Sequence, residues 1–296
     1  MLALAVTFLS GCTTPVRVPI SSDSRTQLGE VKGIVGLQQQ EIGTEINPSN
    51  VSAAMGGGLI GGIVDASIDD ARAKKAEAAV KPVRDALIDY QPGNVLAVDL
   101  QKALAAVPGA SPSHIDVRQV VDPNTTSGWI NAPGGASVLL VTLRYKLSFD
   151  FKSMIVSAVV SLHPAGGRLA GITQTKAGLP PLVYYNMFSS INILPGVTGP
   201  QSPDGMVTLW AADGGRQAQA VLNTGLQELA AMIAYDFTAP APPQGELYKA
   251  PEGAEKHFGI AEYGANNVGF QGYIEHKADG RVWVRLPPGQ LCSFPQ

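Results

Sequence analysis

A chain of 296 residues with 21 basic and 24 acidic side chains has a formal net charge of -3. That balance excludes the basic footprint expected of a nucleic-acid binder or a protein drawn to an anionic surface. The length suffices for one sizeable domain plus a small unit, and 33 glycines with 22 prolines predict many turns and few long helices.

The first nine residues, Met1 to Leu9, are apolar and uncharged apart from the Thr7 hydroxyl, and they end in Ser10-Gly11-Cys12. An apolar run leading into small residues is the pattern of a secretory leader, which is set aside before any reading of the fold. Leu9-Ser10-Gly11-Cys12 resembles the lipobox of bacterial lipoproteins. The resemblance implies cleavage before Cys12, a diacylglycerol on its sulfur and often a further acyl chain, palmitate for example, on the freed amine. A basic start is missing and the apolar run is short, so a start codon further upstream is expected. Each buried CH₂ contributes about 0.8 kcal/mol, so two or more chains hold stably where one holds marginally. Thr13 follows the cysteine where Asp would imply retention in the inner membrane. The resemblance therefore implies the outer membrane, with the body on its periplasmic side.

Residues 13–30 are polar and proline-containing and read as a tether. A first strand is expected within 31–46, carrying Ile34 and Leu37, and Asn47-Pro48-Ser49-Asn50 marks a turn and helix start. In the segment 51–64, Gly57 and Gly61 stand four apart, as do Gly58 and Gly62. Such rows let two helix backbones approach closely. Fewer than about twenty apolar residues precede Asp65, so the run is too short to span a bilayer. It reads either as a glycine-rich loop or packed internal helix, or as a contact surface for a partner or a membrane.

A helix follows over 65–90, with Asp70–Lys74 and Glu77–Lys81 at stabilising spacing and Pro82 expected to kink it or open a second helix. Another helix is expected over 95–107 and a strand around Ile115–Val121. Residues 137–149 and 151–163 are rich in β-branched residues. Val141, Leu143, Tyr145 and Leu147 alternate with Thr142, Arg144, Lys146 and Ser148, which predicts a half-buried hairpin. A further strand fits 181–194. Over 212–237, Val221, Leu222, Gly225, Leu226, Leu229, Ile233 and Phe237 fall on one helical stripe. A proline-rich linker (238–256) leads to two hairpins, turned at Ala278-Asp279-Gly280 and Pro287-Pro288-Gly289.

Motifs for chemistry are sparse. His114, His163, His257 and His276 are isolated, and neither they nor the cysteines have the spacing of a zinc site. No nucleophile elbow, phosphate-binding loop or dinucleotide fingerprint occurs, so no cofactor and no metal is expected. Asp65 and Asp69 share a helix face and could serve as a carboxylate pair, although a solvated face with weak ion pairs is the simpler reading. Asp204 and Asp279 read as turn residues; Trp210, Trp283, Tyr184 and Tyr185 read as packing. With Cys12 acylated, Cys292 has no disulfide partner and reads as a half-buried strand residue.

The organisation expected is a signal peptide (1–11), a lipidated tether (12–30), a main α+β domain (31–237), the linker (238–256) and a small β-hairpin unit (257–296). The fold class is α+β, an antiparallel sheet with helices packed on one face. The function expected is a non-enzymatic envelope structural or assembly component, held to the membrane by the lipid on Cys12. Its candidate interaction residues are Gly57, Gly58, Gly61 and Gly62, and its partner an envelope protein or another copy of itself; nucleic acid is not expected. The alternatives are a periplasmic hydrolase using helix carboxylates and a small-ligand or lipid-binding lipoprotein.

Overall fold

Alternation along 137–163 builds the middle of the sheet. In the computed structural model, which describes residues 17–26, 28–45, 59–120, 128–130, 136–164, 182–197, 201–239, 247–249, 271–287 and 289–296, this segment forms strands β4 (Ser137–Leu147) and β5 (Ser153–His163). They pair antiparallel from Val138–His163 to Leu147–Met154. Leu139, Val141, Leu143, Tyr145 and Leu147 point into the core, as do Met154, Val156, Ala158, Val160 and Leu162. The turn between the strands places Phe151 at φ 57°, a left-handed conformation that a bulky side chain seldom takes. The Trp210 indole N–H donates to the Phe151 carbonyl at 2.7 Å and helps to hold it there.

Around this hairpin lie α1 (Ser22–Thr26), β1 (Gly29–Leu37), β2 (Gly43–Thr44), α2 (Leu59–Ala86), α3 (Pro92–Ala105) and β3 (Ala110–Gln119) on the N-terminal side. On the C-terminal side come β6 (Tyr184–Ile193), α4 (Pro203–Ala211), a 3₁₀ turn (Ala212–Gly215), α5 (Arg216–Thr238), β7 (Leu247–Lys249), β8 (Gln271–Ala278), β9 (Arg281–Arg285) and β10 (Leu291–Pro295). One sheet runs in the order β3-β1-β4-β5-β6-β10-β9-β8-β7, with β2 beside β4. Parallel pairings join β1 to β3, β1 to β4 and β10 to β6; the remaining neighbours along that order are antiparallel. The fold is thus α+β, with a large, mostly antiparallel sheet.

The helices cover one face. Val80, Val83, Leu96, Leu100, Trp210, Leu222, Leu226, Leu229, Ile233 and Phe237 share a single core with the inward residues of β4 and β5. The expected stripe of α5 is buried along its whole length, Gly225 included. On the other face a smaller cluster gathers Ile155, Ile191, Val282, Val284, Leu286, Cys292 and Phe294. The C-terminal hairpins turn where expected, with Asp279 at φ 53° and Gly280 at φ 72°. They do not stand apart, because Leu291–Ser293 pair with Phe188–Ser190 and continue the main sheet.

Four local expectations are corrected or narrowed. The segment read as tether is folded from Arg17 onward: Ile20, Ser24 and Leu28 are buried, and Ser21 caps α1 by accepting the Ser24 N–H at 3.0 Å. Pro82 lies inside α2, so of the two outcomes expected there the opening of a second helix does not occur. Asp204 opens α4, where Ser202 accepts the Gly205 N–H at 3.1 Å and Pro203 takes a first-turn position whose missing N–H costs nothing. The linker contains β7, which pairs with β8.

Candidate functional site

Cys12 with the rest of Leu9-Ser10-Gly11-Cys12, and Gly57 with Gly58, lie outside the described residues. Gly61 and Gly62 fall in the first turn of α2. Farther along that helix no residue from Ile68 to Ala79 is buried, and Val80 and Val83 are. Asp69 sits half-exposed 3.9 Å from Arg72, and Lys74 pairs with Asp70 at 2.7 Å. Lys81 reaches Asp85 and Glu77 reaches Arg84, in place of the expected Glu77–Lys81 pair.

The first described residues after Cys12 dock on the body. Val18 pairs antiparallel with Tyr185, its N–H donating to the Tyr185 carbonyl at 2.8 Å and its carbonyl accepting the Tyr185 N–H at 3.0 Å. It thereby occupies the edge of β6 that β10, starting at Leu291, leaves open. Arg25 donates to the Thr238 carbonyl at 3.0 Å, at the C-terminus of α5, where a cation complements the helix dipole.

Arg17 reaches deeper. Its Nε donates to Asp236 Oδ2 at 3.2 Å and its Nη2 lies 2.9 Å from Oδ1. Asp236, fully buried on the last turns of α5, also accepts from the Tyr184 hydroxyl at 2.7 Å and from Asn186 Nδ2 at 2.9 Å. Arg285 Nη2 stands 2.7 Å from Oδ1. Arg285 in turn pairs with Glu275 and donates to the Gly289 carbonyl at 2.9 Å. Gly289 has φ 96°, and a Cβ there would lie 2.3 Å from the Arg17 Cβ, so only glycine lets this loop close over Arg17. Burial, reinforced by the Asp236 charge, pushes the Tyr184 hydroxyl well above its ordinary value. For Arg285, burial opposes the charge, but Glu275 and Asp236 outweigh it and raise its pKa.

A second polar cluster lies farther from the Arg17 end of α5. Glu228 Oε2 accepts from the Trp283 indole at 2.8 Å and the Ser293 hydroxyl at 2.7 Å, with Arg281 at 3.3 Å. Arg281 extends the network to Asn192, Ser190 and the Ile191 carbonyl at 3.0–3.1 Å. Buried charges are retained when paired and hydrogen-bonded. Both clusters meet that condition and fasten α5 to the C-terminal strands. Asp236 is sealed from solvent: Oδ2 accepts from Arg17, Tyr184 and Asn186, and Oδ1 lies between the Arg17 and Arg285 guanidinium groups. Its chemistry is adhesion, and what it holds is the N-terminal segment.

The other candidates resolve into packing. Trp210 and Tyr184 are fully buried and Trp283 nearly so; Trp283 packs edge-on to Tyr235 and against His276. His163 is buried beside the Ser161 hydroxyl, His114 is exposed near Asp116, and His257 lies outside the described residues. Cys292 is fully buried rather than half-buried, and burial raises its thiol pKa. Among the described residues no group of three potential ligands could hold a metal ion, and no helix is long and apolar enough to cross a membrane. The Arg17–Asp236 junction escaped the sequence reading because nothing local distinguishes one arginine in a polar stretch. Arg17 as the sole cation between Cys12 and Ser21 was the one available signal.

No protein-family model matches the chain, and no curated protein matches it. Among solved structures, a PelC dodecamer from Paraburkholderia phytofirmans aligns over 76% of this chain and 96% of its own, at 11% identity and a TM-score of 0.23. A single-residue variant of that PelC dodecamer aligns over 69% of this chain and 88% of its own, at 13% identity and a TM-score of 0.21. Similarity at that level assigns neither a family nor a role.

Proposed function

We propose that this protein is a lipid-anchored component of the bacterial envelope, attached through Cys12 to the outer membrane with its body in the periplasm. Its role there is structural or in assembly, without catalysis, with an envelope protein or a second copy as partner. The observation that carries the reading is the pairing of Leu9-Ser10-Gly11-Cys12 with a fold that seizes the chain at Arg17, five positions later. A buried ion pair so close to the acylated residue transmits the anchor directly into the core of the body.

Two observations weigh against the alternatives. Asp69, from the carboxylate pair that a hydrolase would use, is half-exposed on its helix and lies 3.9 Å from Arg72. A lipid carrier would need a cavity between the β4–β5 hairpin and α5, yet α5 rests directly on that hairpin at Gly225. A Cβ there would lie 2.6 Å from Val156 Cγ2 and 2.9 Å from Asn192 Nδ2.

The test is expression of the wild type and Cys12→Ser from the full native start, followed by membrane fractionation and intact mass. Acyl mass on the wild type in the outer-membrane fraction, lost in the variant, is the expected result. Two soluble, unmodified proteins would remove the anchor and the proposed role together.

A further inference from the structure

Resting on the lipid anchor proposed above, we infer that the body stands on the membrane by one particular end of its sheet, the end where β1 and β4 begin and β5 finishes. The interaction surface is the tip formed by the Val18 segment, the α3–β3 connection and the β9–β10 turn. Its partner is the lipid headgroup surface.

Chain length sets the limit. Six positions separate Cys12 from Val18, so fully extended they span at most about 21 Å. Val18 is fixed opposite Tyr185, the second residue of β6. From Tyr185 to Ile193, at the other end of that strand, the sheet runs about 26 Å at roughly 3.3 Å per residue. The β4–β5 turn around Phe151 lies farther still, because Ser153 is paired with Ile193. An inverted body, resting on that turn, would need a longer leader than the chain has. The Arg17–Asp236 ion pair and the two Val18–Tyr185 hydrogen bonds keep further leader from being released from the fold.

Both broad faces carry exposed charge, the helix side beside the exposed Val98 of α3. The helix side exposes Lys74–Asp70 and Lys81–Asp85, and the opposite side of the sheet carries exposed Arg144 and half-exposed Lys32. At the Val18 end Pro19, Ala106, Pro108 and Pro287 are exposed and uncharged, beside Asp23, Glu30 and Lys102. Ala106 follows α3, and Ala110, which starts β3, pairs with Gly29. Pro287 lies two positions before Gly289, which abuts Arg17. Both mark the same end.

The experiment uses the full-length acylated protein in vesicles of phosphatidylethanolamine and phosphatidylglycerol that carry a headgroup-linked nitroxide quencher. A fluorophore is placed through one added cysteine at Ala106 or Pro287, or at the exposed far-end positions Gln40 or Pro195. Cys12 is acylated and Cys292 is buried, so only the added thiol is labelled. Intact mass is recorded on every sample. The expected result is loss of fluorescence at 106 and 287 with none at 40 and 195. Acylated, vesicle-bound protein quenched at the far positions, at all four equally or at none would overturn this orientation and leave the anchor standing. Absence of acyl mass would overturn the anchor and the orientation with it.

Discussion

Arg17 and Asp236, 219 positions apart in the chain, form a buried ion pair at 2.9 Å. Their side chains are 8% and 0% exposed, so water neither screens nor replaces the contact. Truncating Asp236 to Ala would remove the anion buried against Arg17 and leave Arg285 with Glu275 alone. The expected loss is about 3–5 kcal/mol of folding stability. Arg17→Ala, which leaves Arg285, Tyr184 and Asn186 on the carboxylate, is expected to cost about 1–3 kcal/mol. Urea unfolding of both variants checks the order, and equal losses would contradict it.

Gly225 faces Val156 and Asn192 with no room for a methyl group. Gly225→Ala must lift α5 off β5 or force Val156 into a poorer rotamer, at an expected cost of about 1–3 kcal/mol. The small gain in helix propensity from alanine, up to about 1 kcal/mol, offsets only part of that. A thermal midpoint at or above wild type would show that the helix moves freely at this point.

The Cys292 thiol lies in the cluster under β9 and β10 and has its pKa raised by burial. Thiolate is the reactive form, so the folded protein is expected to resist a disulfide reagent at pH 8 and to react fully in guanidinium. Rapid reaction without denaturant would place Cys292 in a locally opening strand.

Burial pushes the Tyr145 hydroxyl up to about 12, with the Glu41 charge adding to it, and it raises Tyr184 as well. The unfolded chain releases these protons near the ordinary value of 10.0, while the folded protein still holds them. Their contribution to stability is therefore complete below about pH 10 and is lost as the pH climbs toward the folded values. The urea midpoint is expected to fall between pH 9 and pH 11. Tyrosinate absorbance at 295 nm should appear together with unfolding for these two residues, and a pH-independent midpoint over that range would refute the assignment.

Much of this fold is set by short-range pattern. The β4–β5 hairpin follows from two-residue alternation, α5 from its apolar stripe, and the C-terminal turns from Asp279-Gly280 and Gly289, because each is decided by neighbours within a few residues. Even α4 had a local signature in Ser202-Pro203, overlooked because Asp204-Gly205 also suits a turn. What the tertiary structure alone decided is long-range: the parallel pairings of β1 and β10, the bonding of half-buried Glu228 to Trp283 and Ser293, and the capture of Arg17 by Asp236. A parallel neighbour or a buried ion pair leaves no periodic trace, since its energy depends on burial and on a partner far along the chain. For the same reason the lipobox-like Leu9-Ser10-Gly11-Cys12, on which the proposed lipid anchor rests, is legible in the sequence, whereas only the fold determines that five positions separate Cys12 from a residue held in the core.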